Sequence, residues 1–471
     1  MRQTIRARAV AAAASLLIHP VPAAAQAPSQ PAPPQPLTLD QAIQYATEHY
    51  PTVRAALEQI NASTAGVDVA KSAYLPRFDA LWQTNRGTTN NIFGQVLPQS
   101  VIPALSGPVL DSTSSQSVWG SALAGLFSWE PFDFGFRHAS VVTAEAAVTQ
   151  ARAGEALTRL DVQNAVAVAY LGMLAAERAV TATQADLDRR NVLLQSVRTL
   201  VVNQLRPGAD QSRAEAERAA AQTRLIQAQQ ALTVGRATLG RVLGSTAAGV
   251  TIAGDALLAR VPPSDITPGT VTAHPLAQAR QASVEQARAQ QEVLARTDQP
   301  RVFVQSSVFA RGSGANPNGV YDGGAGGLGL ERANWAAGVQ VVFPNAFDFS
   351  SLRARKAAAA ASSRASTALY DEALLTITSQ QQTAAAVLQT TRAVAANTPV
   401  QLAAAQQSEM QARARYDAGL ATLLEVAEAQ GLLAQAEVQD ELARVDVWRA
   451  LLASAVAQGD LAPFLAILQQ P

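Results

Sequence analysis

The sequence predicts a mainly α-helical protein with a small β part, organised as two tandem repeats. Three observations carry that prediction. First, the chain repeats itself. Tyr50-Pro51, leading to Tyr74-Leu75-Pro76-Arg77-Phe78, is echoed by His274-Pro275, leading to Gln299-Pro300-Arg301-Val302-Phe303, and the step from Pro51 to Pro275 equals that from Pro76 to Pro300. Later echoes keep the order at shorter steps: Phe132-Asp133-Phe134 against Phe347-Asp348-Phe349, and Gly208 against Gly419. A kept order with a shrinking offset means two units separated by small deletions. Second, within each unit the hydrophobic period changes from 3.6 to 2 and back. Third, Ala, Gln and Leu dominate the long stretches between, a composition of long helices packed through small side chains.

The elements follow in order. Residues 1–25 read as a secretory signal: Arg2, Arg6 and Arg8, an apolar core from Ala9 to Ile18, and Ala23-Ala24-Ala25 at the cleavage site. That core is too short to span a membrane as a helix, and no later apolar run approaches the necessary length. Residues 26–36 form a Pro-rich linker. Repeat one covers 37–250 and repeat two 251–471. A helix opens at Leu37-Thr38-Leu39-Asp40, with Thr38 or Asp40 near its cap, and runs to about Ser72. Strands are expected at about 76–86 and 117–130, and again at 301–311 and 334–344. In the first, Phe78, Ala80 and Trp82 alternate with Arg77, Asp79 and Gln83. In the second, Trp119, Leu123, Phe127 and Trp129 share a face, and Gly120, Ala122 and Ala124 lie opposite. Alternation over about ten residues, with aromatics near the ends, is the signature of a transmembrane β-strand. Trp82, Trp119, Phe127, Trp129, Trp335 and Phe343 are therefore expected at the membrane interface, with Ala122, Ala124, Ala336 and Gly338 facing inward. Gly/Asn/Pro/Ser-rich loops are expected at about 86–116 and 311–333.

Each strand pair feeds long helices, about 133–204 and 209–243, then 348–417 and 420–457. Val180, Leu187, Leu194 and Val201 recur every seventh residue, as do Leu225, Leu232 and Leu239, the seam of a coiled coil. Asp133 and Asp348 are expected to cap the long helices, Pro207-Gly208 and Gly419 to break them, and Pro399 to kink one. Four strands cannot close a barrel, and an open sheet edge cannot sit in lipid. Several chains must therefore share one barrel. Two would give eight strands and a filled interior; three would give twelve and room for a pore.

Composition removes other classes. Formal charge is zero, with 36 basic and 36 acidic residues, so no nucleic-acid partner is indicated. The absence of cysteine excludes disulfides, thiolate metal sites, a cysteine nucleophile and a lipid-anchoring cysteine. His19, His49, His138 and His274 are scattered, without metal-ligand spacing. Gly324-Ala325-Gly326-Gly327-Leu328-Gly329 precedes a strand rather than a helix, which removes a dinucleotide reading. No cofactor, metal or catalytic residue is expected. The remaining rival classes are a structural coiled-coil protein of the periplasm without a pore, disfavoured by the alternating strands, and an exported enzyme, disfavoured by the lack of an acid–base–nucleophile set.

Over about 37–460 these residues resemble the TolC-like outer-membrane efflux protein family. The likeness rests on Tyr74-Leu75-Pro76, on Phe132-Asp133-Phe134-Gly135, and on Tyr416-Asp417-Ala418-Gly419-Leu420-Ala421-Thr422-Leu423-Leu424-Glu425 with the helix ending in Gly459-Asp460-Leu461. The resemblance implies a homotrimer: a shared twelve-strand β-barrel in the outer membrane of a Gram-negative bacterium, continued by a periplasmic α-helical barrel with an equatorial belt. It implies no enzyme and no cofactor, but an exit duct for small molecules such as drugs and toxic compounds. The partners implied are outer-membrane lipid, a periplasmic adaptor and an inner-membrane transporter of the resistance-nodulation-division or ABC type. An exit duct for type I protein secretion is the alternative it allows. By position, Glu425 and Glu428 fall at the periplasmic aperture and Tyr416 among its closing contacts, although the family's arginine there is Ala421 and the acidic partner falls near Arg213-Ala214. Three residues apart, the two acids share a helical face, and threefold symmetry would gather six carboxylates, raising some of their pKa values. Pro207, Gly208, Gly419 and Leu420 mark the hairpin tips where the adaptor docks, with both glycines expected as left-handed helix caps.

Overall fold

A computed structural model describes residues 35–469, apart from 89–114, 116, 245–249, 260–261, 263–265, 268, 313–324, 331 and 346–347. The signal, most of the linker and most of both inter-strand loops lie outside the described residues. In chain order the elements are α1 (Leu39–His49), α2 (Pro51–Ser72), β1 (Arg77–Thr88), β2 (Ser117–Phe132), α3 (Phe136–Val202), α4 (Gly208–Val242), α5 (Asp255–Leu258), α6 (Pro275–Ala295), β3 (Arg301–Gly312), β4 (Arg332–Val342), α7 (Phe349–Asp417), α8 (Leu423–Gln458) and α9 (Ala462–Gln469). Short 3-10 turns at Val271–Ala273 and Gly326–Leu328 complete the chain.

The four strands form one antiparallel sheet in the order β1-β2-β3-β4. β2 and β3 pair across the two halves of the chain, so a single sheet unites them, with β1 and β4 as its edges. Below the sheet α3 packs on α4 and α7 on α8, while α2 and α6 lie against α3. The 67 residues of α3 and the 69 of α7 each reach about 100 Å. Pro399 lies inside α7, and the helix continues through it rather than ending there. Of the heptad seams, Leu187 of α3 and Leu225 of α4 are buried together, Leu194 is buried in the cluster around Tyr416, and Leu239 in the main core.

The main core sits midway along the long helices. Tyr170, Leu171, Met173 and Leu174 of α3 meet Val447, Trp448, Leu451 and Leu452 of α8, Phe464 of α9, and Leu39, Ala42 and Ile43 of α1. The indole of Trp448 donates to the Leu257 carbonyl at 2.6 Å and meets the Phe464 ring edge-on. Leu37 and Ile252 form a parallel bridge, and the Tyr170 hydroxyl donates to the Leu37 carbonyl at 3.0 Å. α1 is closed by a capping box of Thr38 and Gln41, which resolves the choice between Thr38 and Asp40. Contrary to the reading of the sequence, α3 does hold a stretch long and apolar enough to cross a membrane by length and composition; 56% of it is buried inside the protein. Its hydrophobicity serves this core.

Candidate functional site

Two regions carry the chemistry, the outer face of the sheet and the tips of the helical hairpins. Register places Trp82, Leu123, Ala310 and Ala333 in one row across the sheet. Below it come Ala80, Gly125, Val308 and Trp335, then Phe78, Phe127, Ser306 and Ala337, then Trp129, Val304 and Val339. Phe78, Trp82, Val308, Trp335 and Val339 on this face are each about 70% exposed, a large apolar surface without a partner in the single chain. From Ala333 to Val341 it extends about 27 Å along β4. Phe343 continues it past the end of β4 and is exposed. Trp119 marks the other limit, with Arg86 5.6 Å from its ring centroid. The opposite face is small and closely packed: Ala122, Ala124, Leu126 and Phe309 are buried together.

Where the sheet meets the helices, the two aspartates behave differently. Asp133 accepts from the Gly135 amide at 3.0 Å and from the Arg137 amide and Nε at 2.7 Å. Arg137 is buried, lies 4.5 Å from the Tyr74 ring centroid, and donates to the Ala73 carbonyl at 3.2 Å. The helix cap itself is Gly135, since Phe134 and Gly135 both adopt positive φ and fold the chain back so that Asp133 reaches the first amides. Asp348 stands at the cap of α7 yet makes no side-chain capping bond, because the helix begins directly at Phe349 with no such turn between.

At the far end, both hairpins close with the same helix-ending motif, but the glycines are not equivalent. Gly419, at φ +78°, ends α7; Leu420 N donates to Arg415 O at 2.7 Å and Gly419 N to Tyr416 O at 3.0 Å. The matching residue of the first tip is Gln204, at φ +59°, with Leu205 N bonded to Leu200 O at 2.8 Å and Gln204 N to Val201 O at 2.9 Å. Gly208 does not cap α3; it is the first residue of α4, behind Pro207 as the N-cap. Pro207, Gly208 and Leu420 are exposed.

Tyr416 is buried among Leu193, Leu194, Val197, Ala214, Leu423 and Val426, and joins the two tips. Arg206 of the first tip lies 4.6 Å from its ring centroid and donates to its carbonyl at 3.4 Å. Burial raises the phenol pKa against the opposing charge of Arg206. Its hydroxyl meets no hydrogen-bond partner among the described residues. Glu425 completes a capping box with Thr422, accepting from the Thr422 amide at 3.1 Å, and Arg415 lies 3.5 Å away. The Thr422 amide and hydroxyl hold the Glu425 carboxyl below its usual range, opposite in sign to the rise expected from crowding acids. Glu428, one turn on, is exposed. The contacts that Arg206, Arg415 and Thr422 make with Tyr416 and Glu425 are not part of the reading of the sequence. Thr422 with Glu425 three residues later was the one legible signal, whereas the partner of Arg206 lies 210 residues away. Among the described residues no three His, Asp or Glu side chains could hold a metal ion.

The comparisons with known proteins agree with this geometry. A family model described as outer membrane efflux protein matches residues 42–245 and 272–456. No curated protein sequence matches. Among solved structures, the outer membrane protein VceC of Vibrio cholerae is similar at 19% identity and a TM-score of 0.71, over 90% of this chain and 96% of that one. The Campylobacter jejuni CmeC outer membrane channel is similar at 14% identity and a TM-score of 0.72, over 89% and 85%. The open-state MtrE outer membrane channel of Neisseria gonorrhoeae is similar at 18% and 0.70, over 90% and 89%.

Proposed function

The chain belongs to the outer membrane efflux protein family, and from that premise we propose that it is an exit duct through which small molecules such as drugs and toxic compounds leave a Gram-negative cell. The observation that carries the proposal is the four-stranded sheet with an apolar outer face and two unpaired edges. In lipid, every unpaired backbone N–H or C=O costs several kcal/mol, so β1 and β4 must find partners. Successive strands alternate in direction, so β1 and β4 run oppositely, and β1 of one copy meets β4 of the next in an antiparallel pair. Three copies make twelve strands and a lumen lined by Ala122, Ala124, Ala336 and Gly338. The long helices then carry the passage through the periplasm.

At the other end the reading gathers Glu425 and Glu428 of three copies around the periplasmic aperture, favouring cations. Arg206 stacked on Tyr416 ties the two hairpins of each copy, in place of the family arginine missing at Ala421. The tips at Pro207-Gly208 and Gly419-Leu420 receive a periplasmic adaptor, which joins the duct to an energy-supplying inner-membrane transporter. The test is the protein mass of the mature chain purified from membranes in detergent, by light scattering with the micelle subtracted. Three chains are expected. A single-chain mass, or a chain recovered in the soluble periplasmic fraction, would remove the pore.

A further inference from the structure

The start of α7 carries an unusual concentration of positive charge. Phe349, Arg353 and Lys356 recur at four- and three-residue steps and so share a helical face. Phe349 is 69% exposed, Arg353 is exposed, and Arg355 adds a further exposed cation beside them. Lys356 is tied at 3.1 Å to Asp298. No acidic residue follows within α7 until Asp371. Three cations in the first two turns stand at the positive end of the helix dipole, where acidic residues are favoured. The matching place in the other half is arranged differently: Arg137 at the start of α3 is buried and neutralised by Asp133. The cations also follow the apolar sheet face closely along the chain. Val339, Val341 and Phe343 lead down β4 to Phe349, all strongly exposed, and Lys356 lies roughly 10 Å further along the helix.

An apolar band, then exposed aromatic rings, then cations of which Arg353 and Arg355 are exposed, is the order of chemistry across the edge of a phospholipid leaflet. We propose that Phe349, Arg353, Arg355 and Lys356 form a docking surface for the headgroups of anionic phospholipids in the leaflet facing the helices. Phe349 sits at the level of the acyl-chain boundary, and the arginines reach the phosphates. This rests on the outer-membrane reading above.

The test places the full mature protein in vesicles of phosphatidylcholine alone, or of phosphatidylcholine mixed with phosphatidylglycerol, and follows thermal unfolding. The expected result is a rise of several degrees with phosphatidylglycerol, reduced by high salt and lost in an Arg353→Gln, Arg355→Gln double variant that melts like the parent in phosphatidylcholine. Equal melting of the parent in both vesicles would overturn the proposal. So would an undiminished rise in the double variant, or the same rise from inorganic phosphate added to phosphatidylcholine vesicles. Failure to insert into either vesicle would instead bring down the membrane reading, and this proposal with it.

Discussion

Replacing Asp186 by alanine is expected to destabilise the helical hairpins far more than removing any surface charge. Asp186 is 2% exposed and accepts from Arg190 Nε at 3.0 Å and from Arg224 Nη2 at 2.9 Å. Arg190, itself 3% exposed, also donates to Glu217 at 2.8 Å. Without Asp186, the Arg190 guanidinium stays buried with half its neutralisation gone, a loss of about 3–5 kcal/mol for breaking a buried ion pair. Removing both charges with apolar residues of similar volume, Asp186→Leu with Arg190→Met, is expected to cost much less, because no charge is left stranded. Glu215→Ala provides the surface control: Arg198 and Glu215 meet at 2.8 Å with roughly half of each side chain exposed, and solvent screens such a pair almost completely. The assay is thermal unfolding in detergent by circular dichroism at one fixed scan rate. Asp186→Ala should melt several degrees lower than Glu215→Ala, and the double variant should lie between them. A cavity of about 530 Å³, lined by Asp186, Arg190, Glu217 and Arg224, adjoins the network. If Asp186→Ala melts no lower than Glu215→Ala, water from that cavity solvates these charges and the burial argument fails.

Three further outcomes follow from local geometry. His274 Nδ1 accepts from the Leu276 amide at 3.0 Å and Nε2 donates to the Val456 carbonyl at 3.1 Å, so the fold needs the neutral ring, and burial lowers its pKa despite the nearby charge of Asp161. The unfolded chain then binds more protons below about pH 6.5, and stability should fall as pH drops from there through the lowered folded value; His274→Asn, which keeps a capping oxygen, should flatten the fall in melts between neutral pH and pH 5.5. Gly459 has φ +79°, and a Cβ there would lie 2.6 Å from Pro275 Cδ and 2.8 Å from His274 Cδ2, whereas Gly419, at φ +78°, faces open space. Gly459→Ala should therefore destabilise beyond the roughly 1–2 kcal/mol of left-handed strain that limits Gly419→Ala; equal melts would mean that the neighbours yield. Gly419→Trp should abolish export while the trimer persists by light scattering, and normal export by that variant would remove the tip as a docking point.

Much of the fold was legible because it is periodic. The alternation of β2 and the seven-residue spacing of Leu187 and Leu194 announce a mainly helical chain with a small sheet before any contact is known. What escaped depends on partners far along the chain or on the shape of a turn. Asp186 and Arg190 look like an ordinary surface pair four residues apart; only the packing of α4 and α8 around them makes them a buried network. Asp133 and Asp348 read alike, and the two left-handed residues after Asp133 separate them. Gln204 gives no sign of positive φ, which its place behind Asn203 imposes. At the tips, the sequence offered Glu425 and Tyr416 but not the arginines that meet them.

The bridge between Leu37 and Ile252 brings the opening segments of the two halves side by side, while Phe464 near the C-terminal end packs into the same core. The order of the halves is then a matter of wiring rather than of shape. A circular permutant that begins with the second half and ends with the first keeps every helix pair and all four strands in place. Two separately expressed halves could also reassemble, provided that β2 finds β3.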